Sequence, residues 1–300
     1  MKAVKLGVWF KAIRPFTLTG SIIPVTLGSV FALSETTFQL GYYLLSILTI
    51  VLLQASANLL SDVDDYSNKV DTKDSYGSSR VIVENLLKPE QILLYGRILL
   101  ISGFLIGIFL SIMKGIFIFI LGLLGILAVY FYTGKPLILK YRGLGAPLVF
   151  LLFGPFMVLG AYYVQLQRVT FAAFLISLTV GLLTTAILHA NDIRDVYYDK
   201  RAGIKTLPII VGEKYSHLIY YSMLSIPYIV ILIMVICRIL QLWSLLCFLT
   251  IPSMLKIINK LRRSNGSAST LANLDKETAE LQGKFGIILI LSLVLPHFIG

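Results

Sequence analysis

The chain has 300 residues, of which 57% are hydrophobic and 14% are charged, and its formal net charge is +11. Soluble domains carry about 25% charged residues, so this composition excludes an ordinary water-soluble globular protein. A helix that crosses a bilayer needs roughly 20 apolar residues. The sequence predicts an all-α, polytopic membrane protein with about nine such helices, centred near residues 24, 50, 103, 123, 156, 181, 226, 248 and 291.

Basic residues distinguish the two ends of these predicted helices. When the chain is threaded through the membrane in this way, all of its 26 Lys and Arg residues except Lys114, Arg168 and Arg238 fall on one side. Cytoplasmic loops carry an excess of Lys and Arg, so we expect this side and the N-terminus to be cytoplasmic. The positive charge is then explained by topology and by attraction to anionic lipid, and it requires no nucleic acid.

The chain shows no internal division into domains. No linker rich in Pro, Gly or Ser and no low-complexity tract interrupts it, so we treat residues 1–300 as a single membrane domain. The longer predicted loops, at about 66–90, 133–146, 195–214 and 259–283, all lie on the basic side, where we expect function to reside. These features predict a multi-pass protein of the cell (inner) membrane whose site opens to the cytoplasm.

Two acidic clusters end predicted helices on that side. Polar residues at the end of the second apolar segment recur at helical spacing, so they form one stripe that we expect to face a cavity: Gln54, Asn58, Asp62 and Asp65. The sixth segment ends with Asn191, Asp192, Asp195 and Asp199. Both clusters contain Asn-x-x-x-Asp, and Mg²⁺ prefers one or two carboxylates together with waters and phosphate oxygens. One such cluster is also typical of a solvated loop, whereas two related clusters favour a divalent-metal site that holds a diphosphate.

Basic residues are interleaved with these acids. Arg and Lys bind phosphate oxygens and stabilise a departing diphosphate. Positive-inside bias explains any single one of them equally well, but Arg80 and Arg194 lie within or close behind an acidic cluster. The residues that we assign to diphosphate binding are Lys69, Arg80, Arg142, Arg194 and Lys200.

The loop near residues 133–146 combines cations with tyrosines just outside an apolar segment. Such residues anchor helices at the membrane interface. The functional interpretation is a wall for an aromatic acceptor that includes Tyr132. Lys140 or Arg142 would then lie near the carboxylate of the acceptor or near the diphosphate.

Several stretches together resemble the UbiA superfamily of intramembrane aromatic prenyltransferases. Within it the sequence is most similar to the 1,4-dihydroxy-2-naphthoate prenyltransferases of menaquinone biosynthesis. The stretches keep the order and spacing of the family over nearly the whole chain, and they include Arg14-Pro-Phe-Thr17, Asn58 through Asp71, Arg80-Val-Ile-Val, Tyr132-Thr-Gly-Lys135, Tyr141-Arg-Gly-Leu-Gly145 and His189-x-Asn191-Asp-Ile-Arg-Asp195.

This resemblance implies helices around a central cavity and a prenyl diphosphate held through Mg²⁺. The implied metal ligands are Asn58, Asp62, Asp65, Asn191, Asp195 and Asp199, supported by Asp71 and Asp192. The implied catalytic residues are Asp62, Asp65, Asp195, Asp199 and Lys140. The implied reaction moves a prenyl group from an isoprenyl diphosphate to an aromatic acceptor in the membrane, with no obligate protein partner indicated.

The identity of the acceptor stays open at this point. Ser61 and Ala146 stand where the naphthoate enzymes usually carry Asn and an acid, so the alternatives to 1,4-dihydroxy-2-naphthoate are 4-hydroxybenzoate, homogentisate or a glycerol lipid. An alternative of another class is a cation-coupled secondary transporter. That class would favour ionisable groups near the middle of the membrane rather than at its boundary.

Overall fold

The computed structural model describes residues 6–68, 71, 79–264, 266 and 269–296, and every regular element in these ranges is helical. The prediction of an all-α protein is therefore confirmed. The helices are α1 Leu6–Ala12, α2 Thr19–Phe31, α3 Leu40–Ser67, α4 Pro89–Lys114, α5 Ile116–Thr133, α6 Gly145–Leu151, α7 Met157–Leu166, α8 Phe171–Arg201, α9 Leu207–Val211, α10 Glu213–Ile236, α11 Ile251–Arg263 and α12 Leu274–Val294.

Seven stretches in the described part of the chain are long and apolar enough to cross a membrane. They are Pro15–Ser34, Leu40–Ser67, Pro89–Lys114, Gly145–Leu166, Phe171–Arg201, Glu213–Ile236 and Leu242–Arg263. The remaining predicted segments fall in α5, which is apolar but shorter, and in α12. The count of nine spans and the side on which the N-terminus lies stay predictions.

The helix α8 lies at the centre of the packing and contacts α2, α6, α10 and α12. Its apolar side chains Val180 and Leu183 are fully buried together with Leu27 of α2, Leu224 of α10 and Phe285 of α12. A second, smaller core joins α3 and α4. The two helices that carry the acidic clusters are thus each held by a separate part of the core.

Both of these helices are longer than the hydrocarbon core of a bilayer. With 28 residues in α3 and 31 in α8, they extend about 42 and 46 Å at 1.5 Å per residue, against a hydrocarbon thickness of about 30 Å. The excess length is sufficient for their last turns, which carry the carboxylates, to extend beyond the apolar region. Residues 195–201, which we expected in a loop, continue α8 instead.

Close packing of α2 on α7 depends on Gly28. A Cβ atom at this position would overlap the backbone carbonyl of Val158. We expect Gly28→Ala to lower the free energy of unfolding by about 1–3 kcal/mol, because the helices must move apart. The matched control is Gly41→Ala, since a Cβ there meets nothing within 4 Å. Thermal unfolding in detergent should show a lower Tm for the first variant only, and equal Tm values would contradict this account.

Candidate active site

The first acidic cluster is held by the segment that precedes α2. Asn58 donates hydrogen bonds through Nδ2 to the carbonyl oxygen of Ile13 and to Oγ1 of Thr17, both at 2.8 Å. Asp62 is buried and accepts hydrogen bonds from the guanidinium of Arg14 and from the hydroxyl and backbone N–H of Ser79. Burial alone would lower the pKa of Arg14, but the nearby carboxylates, Asp62 first, raise it overall and keep the guanidinium charged.

The carboxylate of Asp65 is bound by a different loop. Lys140 donates from Nζ to both oxygens of Asp65, at 3.0 and 2.7 Å, and the hydroxyl of Tyr141 donates to Oδ1 at 2.6 Å. Burial opposes the charge on Lys140, yet the carboxylate of Asp65 raises the pKa of Lys140 above its ordinary value. Burial and the same carboxylate raise the pKa of Tyr141, so its phenol stays protonated and can donate.

The second cluster is organised around Arg194. Its guanidinium binds Asp195 through two parallel hydrogen bonds of 2.9 and 2.7 Å and also donates to Oδ1 of Asn191. A third contact reaches Asp275 in the first turn of α12, with 2.9 Å between Nη1 and Oδ2. Planar pairing of this kind fixes orientation as well as charge. Arg194 thus ties the end of α8 to the start of α12.

The two clusters face each other across Lys140. This ammonium group interacts electrostatically with Asp65 of α3 and with Asp192 and Asp199 of α8. Its loop is attached to the segment that follows α8, because the N–H of Lys205 donates to the carbonyl of Tyr141 at 3.0 Å. The sequence predicted two acid-bearing helix ends, and the structure brings them together around one cation.

A cavity of about 890 Å³ opens between these helices. Its mouth is lined by polar side chains, most of them amides and cations, and the rest is lined by apolar side chains of α3, α4, α5 and α7, including Ile50, Leu53, Phe104, Ile108 and Phe119. The polar lining residues include Lys11, Arg14, Asn58, Arg80, Lys140, Asn191, Arg194, Asp275 and Lys276. Such a cavity suits a ligand that has an anionic head and a long apolar tail.

The predicted site residues occupy three kinds of position. Those that line the cavity are Asn58, Arg80, Tyr132, Lys140, Asn191 and Arg194. The buried carboxylates of Asp62, Asp65, Asp71, Asp192, Asp195 and Asp199 lie outside this lining. The stripe on α3 therefore turns its amides and not its acids toward the cavity. Arg142 and Lys200 are exposed and lie outside the lining, and Lys69 lies outside the described residues.

Three important contacts were missing from the sequence prediction. Arg14 and Ser79 bind Asp62, and Asp275 binds Arg194. The only signal for Arg14 was its place in the Arg-Pro-Phe-Thr stretch. Asp275 stands in the first turn of a helix far along the chain, where an acid is ordinary because it stabilises the helix N-terminus.

The carboxylate and amide oxygens of the two clusters suit a hard divalent cation that also keeps water and phosphate oxygens as ligands. In the described part of the chain, no three acidic, histidine or cysteine side chains are close enough to hold a metal ion by themselves. However, Asp192 and Asp199 are both buried on α8, and none of the described cations forms an ion pair with either. Their charge needs compensation. Mg²⁺ bound partly by carboxylate and partly by water and phosphate oxygens would provide it.

Comparisons with known proteins all match prenyltransferases or proteins named for the UbiA prenyltransferase domain. A family model described as the UbiA prenyltransferase family matches residues 21–274. The chain is 28% identical over 285 residues to 1,4-dihydroxy-2-naphthoate octaprenyltransferase from Bacillus subtilis, with 95% of this chain and 91% of that protein covered. It is 29% identical over 300 residues to the UbiA prenyltransferase domain-containing protein 1 homolog of Drosophila melanogaster, with 98% and 81% covered.

Solved structures show the same fold. A UbiA homolog from Archaeoglobus fulgidus bound to DMAPP and Mg²⁺ superposes with a TM-score of 0.62 at 15% identity, and 94% of this chain and 98% of that chain are covered. The apo structure of a UbiA homolog from Aeropyrum pernix K1 gives a TM-score of 0.65 at 14% identity, with 92% and 98% covered. At these identities the likeness establishes the helical fold.

Proposed function

This chain belongs to the UbiA prenyltransferase family and is a prenyltransferase, and from that premise we propose that it prenylates 1,4-dihydroxy-2-naphthoate in menaquinone biosynthesis. The prenyl donor is an isoprenyl diphosphate and the required ion is Mg²⁺. The observation that carries this proposal is the pair of acid-bearing helix ends around a cation-lined mouth, which leads into an apolar cavity. Membership of this family favours an enzyme over the cation-coupled transporter.

In this proposal each part of the donor has a matching surface. The apolar tail occupies the cavity, and the diphosphate lies at the mouth, where Arg14, Lys140 and Arg194 supply fixed positive charge. Asn58, Asp62, Asp65, Asn191, Asp195 and Asp199 would hold Mg²⁺, which would supply charge neutralisation at the diphosphate. We place the mouth toward the cytoplasm and the protein in the inner membrane, because the basic residues favour that orientation.

The reaction breaks the allylic C–O bond, and the electron pair leaves with the diphosphate. Arg14, Lys140 and Arg194 stabilise the charge that develops on this leaving group. An electron-rich ring carbon of the acceptor then forms a C–C bond with the allylic cation, while its carboxylate is lost as carbon dioxide. The apolar walls keep water from the cation, which would otherwise be trapped as an alcohol. Tyr132 contributes to the wall beside the acceptor.

The test is a transfer assay with purified protein and a radiolabelled prenyl diphosphate. We expect label in a prenylated naphthoquinol when dihydroxynaphthoate and 4-hydroxybenzoate compete as acceptors. Chelation with EDTA should reduce the product to background, and added Mg²⁺ should restore it. Label in hydroxybenzoate, homogentisate or a glycerol lipid would keep the family activity and replace the acceptor. Turnover that is indifferent to EDTA would overturn the metal assignment.

A further inference from the structure

The first turn of α12 reaches the cavity although it lies far from both acidic clusters in the sequence. Asp275 lines the cavity together with three of its neighbours, Ala272, Asn273 and Lys276. The turn is held by contacts of its own, because Leu274 is fully buried and the hydroxyl of Thr278 lies 2.6 Å from that of Tyr220 in α10. The packing of α12 therefore sets the position of Asp275.

The two carboxylate oxygens of Asp275 have different partners. Oδ1 accepts a hydrogen bond of 2.9 Å from the backbone N–H of Lys276, and an acid in the first turn of a helix is also favoured by the helix dipole. Oδ2 lies 2.9 Å from Nη1 of Arg194 in α8. Stabilisation of the helix N-terminus explains the first contact but does not require the second. Asp275 thus presents to Arg194 an oxygen whose orientation is fixed by the backbone of α12.

A count of donors shows which atoms of Arg194 are left for a ligand. A guanidinium has five N–H groups. Here Nε donates to Asp195, and Nη2 donates to both Asp195 and Asn191. Within the described part of the chain, the N–H groups that remain belong to Nη1, the nitrogen that lies against Asp275. A phosphate oxygen in the cavity would therefore meet Arg194 at the atom that Asp275 holds.

Of the two carboxylates that hold Arg194, Asp275 lines the cavity and Asp195 does not. Arg194 and Asp275 are nearly buried, with 4% and 9% of their surface exposed, so their charges act at short range and with little screening. A carboxylate in the wall of a site for an anion is unfavourable by itself, because like charges repel. Its presence is explained if it directs a cation toward that anion.

We propose that Asp275 is a positioning residue that directs Nη1 of Arg194 toward the diphosphate of the prenyl donor. The inference rests on the proposed function, since that reaction supplies the diphosphate. Asp195 anchors the guanidinium within α8, and Asp275 fixes the end that faces the cavity. The charge on the diphosphate grows as the allylic C–O bond breaks, so a misaligned Nη1 lowers the rate of that step more than it lowers the binding of the donor.

The first test compares Asp275→Asn with two matched variants. Asp275→Asn keeps the shape of the side chain and removes the charge beside Nη1, and we expect kcat to fall about 10–100-fold. Asp275→Glu keeps the charge and should recover part of this loss. The control is Glu277→Gln in the same turn, because Glu277 pairs with Lys260 at 2.6 Å and lies outside the cavity lining. Its kcat should stay within about threefold of the wild type.

A second readout separates positioning from damage to the site. The rise in Tm caused by inorganic diphosphate, with and without Mg²⁺, reports binding without turnover. We expect this rise in Asp275→Asn, and its KM for the donor, to correspond to affinities within about threefold of the wild type, because the loss of alignment is offset by the removal of a repelling carboxylate. A loss of diphosphate binding as large as the loss of kcat would overturn the positioning role.

A double-mutant cycle shows whether Asp275 acts through Arg194. Arg194→Lys keeps the positive charge but has no Nη1. In that background Asp275→Asn should lower kcat by less than about threefold, because the atom on which Asp275 acts is already absent. Losses that multiply in full would contradict the proposal. A kcat that high Mg²⁺ restores in Asp275→Asn would also contradict it, since Asp275 would then bind the ion directly.

These outcomes are distinct from a failure of the proposed function. Equal kcat values in Asp275→Asn and the wild type would remove the positioning role and leave prenyl transfer intact. If the wild type transfers no prenyl group and its Tm does not respond to diphosphate, the proposed function itself fails, and this inference fails with it.

Discussion

Asp62→Asn is expected to lower kcat/KM by at least about 100-fold while the protein still folds. The amide has nearly the same shape as the carboxylate but carries no charge. Asp62 holds the guanidinium of Arg14 at the mouth of the cavity and is buried, so its charge acts at short range and with little screening. Loss of that charge weakens both the binding of a divalent cation and the placement of Arg14.

The matched control for this prediction is Asp64→Asn. Asp64 belongs to the same sequence cluster but lies off the stripe shared by Asn58 and Asp62, and its side chain is half-buried. Its kcat/KM should stay within about threefold of the wild type, as expected for a site away from the chemistry. The measurement is donor turnover over a Mg²⁺ titration, normalised to folded protein. Equal losses in Asp62→Asn and Asp64→Asn would show that net charge, and not the position of Asp62, matters.

Asp195→Asn should lower kcat/KM as Asp62→Asn does, and for a related reason. Asp195 receives two hydrogen bonds from Arg194, which in turn contacts Asn191 and Asp275. The variant should therefore lose the orientation of Arg194 as well as a carboxylate. If high Mg²⁺ restores turnover, the variant has weakened metal binding. If the defect persists at high Mg²⁺, it is caused by the altered orientation of Arg194.

Sequence periodicity predicted the features of this molecule that depend on local structure. Apolar segments of about 20 residues marked the helices, and the i, i+4, i+8 spacing put Asn58 and Asp62 on the same stripe of α3. These inferences hold because helix formation and burial follow from neighbouring residues and do not require knowledge of distant contacts. The role of Arg194, chosen for its place within the second cluster, stays a prediction.

Contacts between remote segments could not be predicted in this way. Arg14 reaches Asp62 because the chain before α2 folds back over α3, and Asp275 reaches Arg194 because α12 packs on α8. Spacing alone also suggested that the acids themselves face the cavity. In the structure the carboxylates lie behind amides and cations, because a buried carboxylate is stabilised by the nearest positive charge.

Lys140→Met is expected to remove both activity and stability, because Lys140 lies between the two acidic clusters. Its ammonium binds Asp65 directly and interacts with Asp192 and Asp199. Removing one partner of a buried ion pair costs about 3–5 kcal/mol, since the other charge is left uncompensated. We expect a clear fall in Tm and a loss of at least about 100-fold in kcat/KM, measured per folded molecule.

Three comparisons separate the role of this charge from a general effect on the loop. Lys135→Met removes an exposed lysine from the same loop and should leave both Tm and turnover near the wild type. Lys140→Arg keeps the charge and should recover much of the stability but less of the turnover, because a planar guanidinium cannot reproduce the geometry of the ammonium at Asp65. High Mg²⁺ should raise the Tm of Lys140→Met more than that of the wild type, since a divalent cation can compensate the carboxylates that have lost their cation. If Lys140→Met instead behaves like Lys135→Met, the two clusters do not depend on a shared cation, and the diphosphate must be held by Arg14 and Arg194 without it.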